Sequence, residues 1–489
     1  MIIKKSALIC LSLLLFLPST LAQTADAPKL PDTVAGRRTA AYIKAFNSGD
    51  EQTMRAFFTD NVAADALKQR PVEARLDIYR QMRSNMGAME LRKVKQAAED
   101  AVTVLIKSER GGWFEIGFMF EPTTPHKFLA LRVEDADAPE TDKTNAVANV
   151  NPTATMTEAE MLTSVEGFLN KVVAADEFSG TVLLAKDGQP IFHKAYGMAS
   201  KEYAAANRTD TKFNLGSINK IFTQIAIGQL VEQGKLSFDD KLGKHLPDYP
   251  NRDAAAKVNI RQLLDMSSGI GDFFGPEFDA TPKDRLRNIK DFLPLFAAKP
   301  LEFEPGTKHA YSNGGYIVLG AIVEKVSGED YYDYVRKHIF EPAGMQNTDW
   351  YEADTPVPNM ASGYTTEGAR MGGTGNARRN NLYTRPAKGS PAGGGYSTAE
   401  DLLKFANALQ AKKLRVPNFR DNAAATKQSA PGAQPPQGPG FGIAGGAPGI
   451  NALLTIGNGY TLIVMSNYDP PSAEKVGRQI RGWLSQVKN

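Results

Sequence analysis

The chain has 489 residues, 42% of them hydrophobic and 23% charged, with a formal net charge of +3. This is the make-up of an ordinary globular protein and excludes a disordered or fibrous chain. The charge balance gives no electrostatic footprint for nucleic acid, and the length points to two domains.

The N-terminus reads MIIKKSALICLSLLLFLPSTLAQ. Lys4 and Lys5, an apolar run from Ala7 to Leu17 and the following Pro18-Ser19-Thr20-Leu21-Ala22 match the three regions of a secretory signal peptide over residues 1–22. A short membrane anchor is the competing reading, but spanning a bilayer takes roughly 20 apolar residues. Cys10 is the only cysteine and lies inside this run. The mature chain is therefore expected to carry no disulfide and no thiol nucleophile. The expected location is the periplasm or the medium, with no stable membrane anchor.

Residues 28–135 read as one α+β unit. Val34 to Phe46, Thr53 to Phe58 and a stretch near Ala74 to Arg83 have helical character, with Asn47-Ser48-Gly49-Asp50 as a break. Leu91 to Val94, Ala101 to Ile106, Trp113 to Phe120 and Lys127 to Arg132 then alternate or run apolar as strands do. Residues 136–157 hold almost no large apolar side chains and read as a mobile linker.

The second unit, 158–489, opens on a β-hairpin: Phe178 to Ala185, the turn Lys186-Asp187-Gly188, and Pro190 to Tyr196. A long helical middle follows. Strands return at Ala452 to Ile456 and Tyr460 to Met465, before a closing helix from Ala473 to Val487. Strands at both ends predict one sheet assembled from the two termini.

The chemistry concentrates at two places. Asn214-Leu215-Gly216-Ser217-Ile218-Asn219-Lys220 opens an amphipathic helix that Gly234 is placed to stop. Positions i and i+3 share a helix face, so the Ser217 hydroxyl and the Lys220 amine can meet. The helix N-terminus favours an oxyanion beside Ser217, and a desolvated amine there can accept the serine proton near neutral pH. The plainer alternative is an N-cap serine and a solvated lysine. The second place is Glu304-Pro305-Gly306-Thr307-Lys308-His309-Ala310-Tyr311-Ser312-Asn313, directly before the apolar helix Ile317 to Val326. Tyr311 offers a phenol that could shuttle a proton if a nearby lysine lowered its pKa. Asn313 offers an amide for a substrate carboxamide. The plainer alternative here is a helix cap with a packed tyrosine.

Residues 158–489 resemble the serine β-lactamase-related family, nearest the class C β-lactamases, D-amino-acid carboxypeptidases and aminopeptidases, and related esterases. The segments that carry the resemblance are FSGTVLLAKDGQPIFHKAYG, DTKFNLGSINKIFTQIAIGQLVEQGKLSFDDKL, IRQLLDMSSGI, EPGTKHAYSNGGYIVLGAIVEKVSG, IFEPAGMQNTDW, AGGGYSTAEDLLKFANAL and TLIVMSNYDPP. The resemblance implies a β-lactamase/transpeptidase-like fold, α/β to α+β, with an antiparallel sheet flanked by helices plus a helical subdomain. It implies Ser217 as acylated nucleophile, Lys220 and Tyr311 as acid/base pair, and Asn313 as a substrate-orienting residue. The family's third motif, Lys-Thr-Gly or His-x-Gly, should lie within Phe441-Gly442-Ile443-Ala444-Gly445-Gly446-Ala447-Pro448-Gly449. Either Ile443 or Ala444 stands in the Lys/His place, or this stretch is shortened and two strands are fused. No alignment supplies the cation, so anionic β-lactams lose an anchor. The N–H of a residue near Gly446 can still complete an oxyanion hole with that of Ser217.

The expected activity is acyl transfer on an ester, amide, peptide or lactam carbonyl, with peptidase or esterase favoured over true β-lactamase. The alternative is a non-catalytic binding protein that captures a peptidoglycan fragment or a similar ligand. No cofactor is expected: the five histidines, His126, His193, His245, His309 and His338, lack metal-ligand spacing. His309 reads as a surface or packed residue. The substrate is expected to be a small molecule or a peptide, with no nucleic acid as partner. The first unit bears a weaker resemblance to the nuclear-transport-factor-two-like cone fold, through AAYIKAFNSGDEQTMRAFFTDN and the strands around Gly112-Trp113-Phe114-Glu115-Ile116. That resemblance implies a binding, dimerising or spacer role.

Overall fold

The computed structural model describes residues 29–109, 113–136, 156–366, 377–419 and 440–487. The signal-peptide reading and most of the linker reading fall outside these residues. The chain divides into two compact units, Met1–Asn151 and Pro152–Asn489. Among the described residues no helix is long and apolar enough to cross a membrane.

The first unit has helices α1 (Val34–Asn47), α2 (Glu51–Asn61), α3 (Ala64–Gln69) and α4 (Val72–Met86), followed by strands β1 (Met89–Ala97), β2 (Ala101–Ser108), β3 (Trp113–Phe120) and β4 (Phe128–Ala136). Asp50 caps α2, its carboxylate accepting from the N–H groups of Gln52 and Thr53, and Gly49 takes the left-handed φ of +71° that the break requires. The strands pair in sequence order, all antiparallel. Tyr42, Phe46, Phe57, Phe58, Phe118 and Phe128 form its aromatic core.

The second unit begins slightly earlier than its sequence suggests. Thr157, read as the end of the linker, instead caps helix α5 (Glu158–Ala174) in a reciprocal capping box with Glu160. The hairpin follows as β5 (Gly180–Lys186) and β6 (Gln189–Tyr196). Helix α6 (Lys220–Glu232), helix α7 (Asn313–Ser327) and helix α8 (Ala399–Gln410) belong to the helical middle. Strands β7 (Gly440–Ala447), β8 (Ile450–Gly457) and β9 (Tyr460–Ser466) lead to helix α9 (Ser472–Leu484).

The termini do build one sheet, antiparallel throughout, in the order β7-β8-β9-β5-β6. Its inner strands β8, β9 and β5 read as nearly unbroken apolar runs because both faces are covered. On β5, Val182 and Leu184 face a cluster with Met161, Val165, Val476 and Trp483 of α5 and α9. Leu183 and Ala185, one residue out of phase, join the larger cluster with Ile221, Phe222 and Phe405 of α6 and α8. Each such fully buried aliphatic or aromatic side chain stabilises the fold by about 1.5–3 kcal/mol. Among the described residues β7 is an edge strand, and that edge faces the turn before α6.

Candidate active site

Ser217 lies in a 3₁₀ turn, Gly216–Asn219, that runs straight into α6. Gly216 has φ +49°, and a methyl group there would lie 2.9 Å from the backbone nitrogen of Gly446. Glycine is thus required at 216 both for the turn and for the approach of β7. Helix α6 ends as expected: Gly234 has φ +69° and the Lys235 N–H reaches back to the Leu230 carbonyl at 3.0 Å, the long bond of a Schellman stop. The expectation of an amphipathic α6 is corrected. Lys220, Ile221, Phe222, Thr223, Ile225, Ala226, Ile227, Gly228 and Leu230 are all buried, because the helix is packed between the sheet and the other helices.

The structure brings Ser217, Lys220, Tyr311 and Asn313 together. Ser217 Oγ and Tyr311 Oη are 2.5 Å apart. Lys220 Nζ lies 3.2 Å from Ser217 Oγ, 2.7 Å from Asn313 Oδ1 and 2.6 Å from the carbonyl oxygen of Ala392. Burial pushes the Lys220 ammonium down to about 7, against the opposing influence of Asp272, which raises it. A neutral amine has two N–H bonds and one lone pair. The two short contacts to carbonyl oxygens take the N–H bonds, and the lone pair is left facing the Ser217 hydroxyl.

Tyr311 departs from its expectation. Its phenol is not lowered by the lysine but pushed up to about 12 by desolvation, with the Ser217 contact working the other way. The ring is 49% exposed, but its oxygen end is turned inward to Ser217, which reconciles an open ring face with a shielded hydroxyl. Lys220 Nζ stands 4.7 Å from the Tyr311 ring centroid and 5.4 Å from that of Tyr316. Tyr311 therefore stays a phenol that can donate, and Lys220 is the group that can accept.

The third-motif region is an uninterrupted strand, Gly440–Ala447. The two-residue turn Pro448-Gly449 joins β7 to β8, and pairing starts at Ala447 with Ile450. Hydrogen-bonded and non-hydrogen-bonded pairs alternate from such a turn. Gly446, opposite Asn451, is then a non-hydrogen-bonded position whose N–H points to the free edge. Gly445 sits on the face towards Ser217: a methyl group on it would lie 2.0 Å from the Leu215 oxygen and 2.7 Å from the Ser217 nitrogen. Ile443, two residues earlier, shares that face and packs on the large core cluster. Ile443, not Ala444, is therefore the side chain of the two that shares the face towards Ser217. His309 is exposed and its Nδ1 is 2.9 Å from the Asp265 carbonyl oxygen, away from the reacting hydroxyl's contacts.

Two members of this constellation were not among the residues singled out from the sequence. Ala392 contributes a backbone oxygen, within a segment whose consecutive carbonyls are all held by buried donors. Tyr332 Oη donates to Gly389, Trp350 Nε1 to Ser390, Thr223 Oγ1 to Pro391 and Lys220 to Ala392. Asp272 accepts from Asn313 Nδ2 at 2.7 Å. The Gly314-Gly315 pair after Asn313 was the available signal: a methyl group on Gly314 would lie 2.3 Å from the Gly271 oxygen, so the glycine marks a close approach by the neighbouring segment.

The family model described as Beta-lactamase matches residues 168–484. The chain belongs to the beta-lactamase family. The match leaves the N-terminal unit outside it. The putative penicillin-binding protein PbpX of Bacillus subtilis is 30% identical over 320 residues, which is 64% of this chain and 75% of the relative. Esterase EstB of Burkholderia gladioli is 29% identical over 326 residues, covering 60% of this chain and 82% of the esterase. The solved penicillin-binding protein from Bacillus halodurans superposes with a TM-score of 0.55 at 32% identity, over 64% of this chain and 98% of that one. The beta-lactamase-family unit is a serine hydrolase, and its relatives include proteins named for different acyl substrates.

Proposed function

We propose that the protein is an exported hydrolase that cleaves ester or amide carbonyls, including peptides, through an acyl-enzyme on Ser217, and that it is not built to destroy anionic β-lactams. The observation that carries the mechanism is the environment of Lys220: two carbonyl oxygens at 2.6 and 2.7 Å and the serine hydroxyl at 3.2 Å. In the first step Lys220 takes the Ser217 proton as Oγ bonds to the carbonyl carbon. The negative charge on the carbonyl oxygen is met by the N–H groups of Ser217 and Gly446. When the tetrahedral centre collapses, the proton held by Lys220 returns through Tyr311 to the leaving alcohol or amine. Water then attacks the acyl-enzyme, giving a proton back along the same groups, and releases the acid and free Ser217. Asn313, beside Lys220, is placed to meet a substrate carboxamide as well as to orient the base.

The choice against β-lactams rests on Ile443, which puts an aliphatic side chain where a cation would meet a carboxylate. Export rests on the signal-peptide pattern of residues 1–22. The test is to treat the protein with a fluorophosphonate and with a labelled penicillin, beside Ser217→Ala. Fluorophosphonate labelling of the wild type that disappears in the variant is expected, with slow penicillin labelling. If neither probe labels the wild type and short-chain esters are not turned over, the reading is wrong.

A further inference from the structure

The Lys220–Ser217 pair depends on an amide that could face either way. Asn313 carries one acceptor, Oδ1, and two N–H donors on Nδ2, on a side chain whose two ends have nearly the same shape. Turned one way, its oxygen accepts from Lys220. Turned the other way, its N–H groups would point at Lys220 and compete with Ser217 for the amine lone pair.

Asp272 removes the ambiguity. A carboxylate accepts and does not donate, and Asp272 Oδ2 lies 2.7 Å from Asn313 Nδ2 and 3.4 Å from the Asn313 backbone nitrogen. Only the N–H end of the amide can face it, so Oδ1 is directed to Lys220 at 2.7 Å. The carboxylate is itself fixed. Ser312, which caps α7 by accepting from the Gly315 N–H, donates its hydroxyl to the Gly271 oxygen at 3.1 Å. The next residue, Phe273, is buried among Phe278 and Phe292. The start of the 15-residue helix α7 adds a partial positive charge that favours a carboxylate at this place.

We infer that Asp272 is a positioning residue for the reaction: it sets the orientation of the Asn313 amide, and through that amide it aims the Lys220 lone pair at Ser217 Oγ. The inference rests on the hydrolase mechanism proposed above. The groups that face Lys220 from the surrounding elements are Ser217 on its own turn, Tyr311, Asn313 and Tyr316 from the α7 side, and Ala392 from the carbonyl segment. Asp272 is the charged group acting on it. Lys388 of the carbonyl segment lies instead over the Tyr332 ring, 4.1 Å from its centroid.

The test compares Asp272→Ala and Asp272→Asn in the whole chain. It uses kcat and KM for a short-chain ester across the pH range, thermal melting, and titration of Lys220 by NMR after ¹³C-lysine labelling, assigned with Lys220→Arg. Asp272→Ala frees the amide and is expected to lower kcat about 10- to 100-fold with little change in KM. Asp272→Asn can still present a carbonyl oxygen to Asn313 and should recover much of that loss. Both variants lack the charge that raises the Lys220 pKa, so both should move the Lys220 midpoint, and the acid limb of kcat/KM, to lower pH. The inference is overturned by a kcat for Asp272→Ala within about twofold of wild type, or by equal losses in both variants that track a lowered melting temperature. An unmoved Lys220 midpoint in both variants also overturns it. That titration needs no substrate: a wild type that takes no fluorophosphonate label would defeat the proposed mechanism, while the midpoint would still decide the role of Asp272.

Discussion

Ser217 has two unlike flanks. On one stand Lys220, Tyr311, Asn313 and Asp272, four polar side chains linked in a continuous hydrogen-bonded chain. On the other runs the edge of β7, which offers Gly445, Gly446 and the aliphatic Ile443 and no polar side chain. The difference follows from what each flank has to supply. Moving a proton needs side chains of tuned basicity, held within hydrogen-bond reach. Stabilising an oxyanion needs only N–H groups at the right place, and a strand edge presents these whatever its sequence. A family strand can therefore lose its lysine or histidine and keep its part in the chemistry. What it loses is a preference among substrates.

The largest expected effect is on the side-chain flank. Replacing Lys220 with Ala should slow acylation of Ser217 by about 10³-fold, the middle of the range for a general base. In the proposed mechanism the neutral amine is the base, and burial pushes its pKa down to about 7. The sign follows: below that pH the ammonium has no lone pair, so kcat/KM rises as pH increases through about 7 and then levels. Stopped-flow acylation and a pH profile check both statements. A Lys220→Ala rate within tenfold of wild type, or a rise centred near the ordinary lysine value, would remove Lys220 from its role.

A smaller but still large effect is expected on the backbone flank. The methyl group of Gly445→Ala would meet the Leu215 oxygen at 2.0 Å and the Ser217 nitrogen at 2.7 Å, so β7 must move away from the serine. Losing one oxyanion donor costs about 10²- to 10³-fold in kcat, and that is the loss expected. Gly442→Ala is the control on the same strand, because its methyl group meets only the Thr455 methyl at 3.4 Å, an ordinary contact. If both variants retain wild-type kcat, the β7 edge takes no part in the reaction and the contrast between the flanks collapses.

The two flanks also differed in how much of them could be read from the sequence. Ser217 and Lys220 are three residues apart, and helical periodicity alone puts them on one face. The sheet was legible in its alternating and continuous apolar strands, and so were the break at Asn47–Asp50 and the helix stop at Gly234. Asp272 and the Ala392 oxygen were not, because they reach Asn313 and Lys220 across 41 and 172 residues of chain. No local pattern encodes contacts of that range. The burial of α6 on all sides and the upward shift of Tyr311 were missed for a related reason: both depend on what the rest of the fold packs around them. On β7 the sequence showed that a cation was missing but left open which residue replaced it. The hairpin register puts Ile443, not Ala444, on the face towards Ser217.

That assignment carries the smallest prediction and the one that speaks to substrate choice. Ile443→Lys places an amine on the β7 face that adjoins Ser217, with a flexible stem that can cover the surface Ile443 now covers while its charge stays in water. A charge-assisted hydrogen bond to a substrate carboxylate is worth about 1.5–3 kcal/mol, of which lost packing of the half-buried isoleucine offsets roughly 1 kcal/mol. Acylation by labelled penicillin should therefore become about tenfold faster, since each 1.4 kcal/mol is about a factor of ten. Hydrolysis of an uncharged ester should stay within about twofold, because the proton-transfer flank is untouched. Equal gains on both substrates would mean that the lysine acts on Lys220 or on the strand rather than on the carboxylate. No gain on penicillin would mean that the missing cation is not what separates this chain from a β-lactam-binding site, and substrate choice would then have to be sought on the side of Asn313.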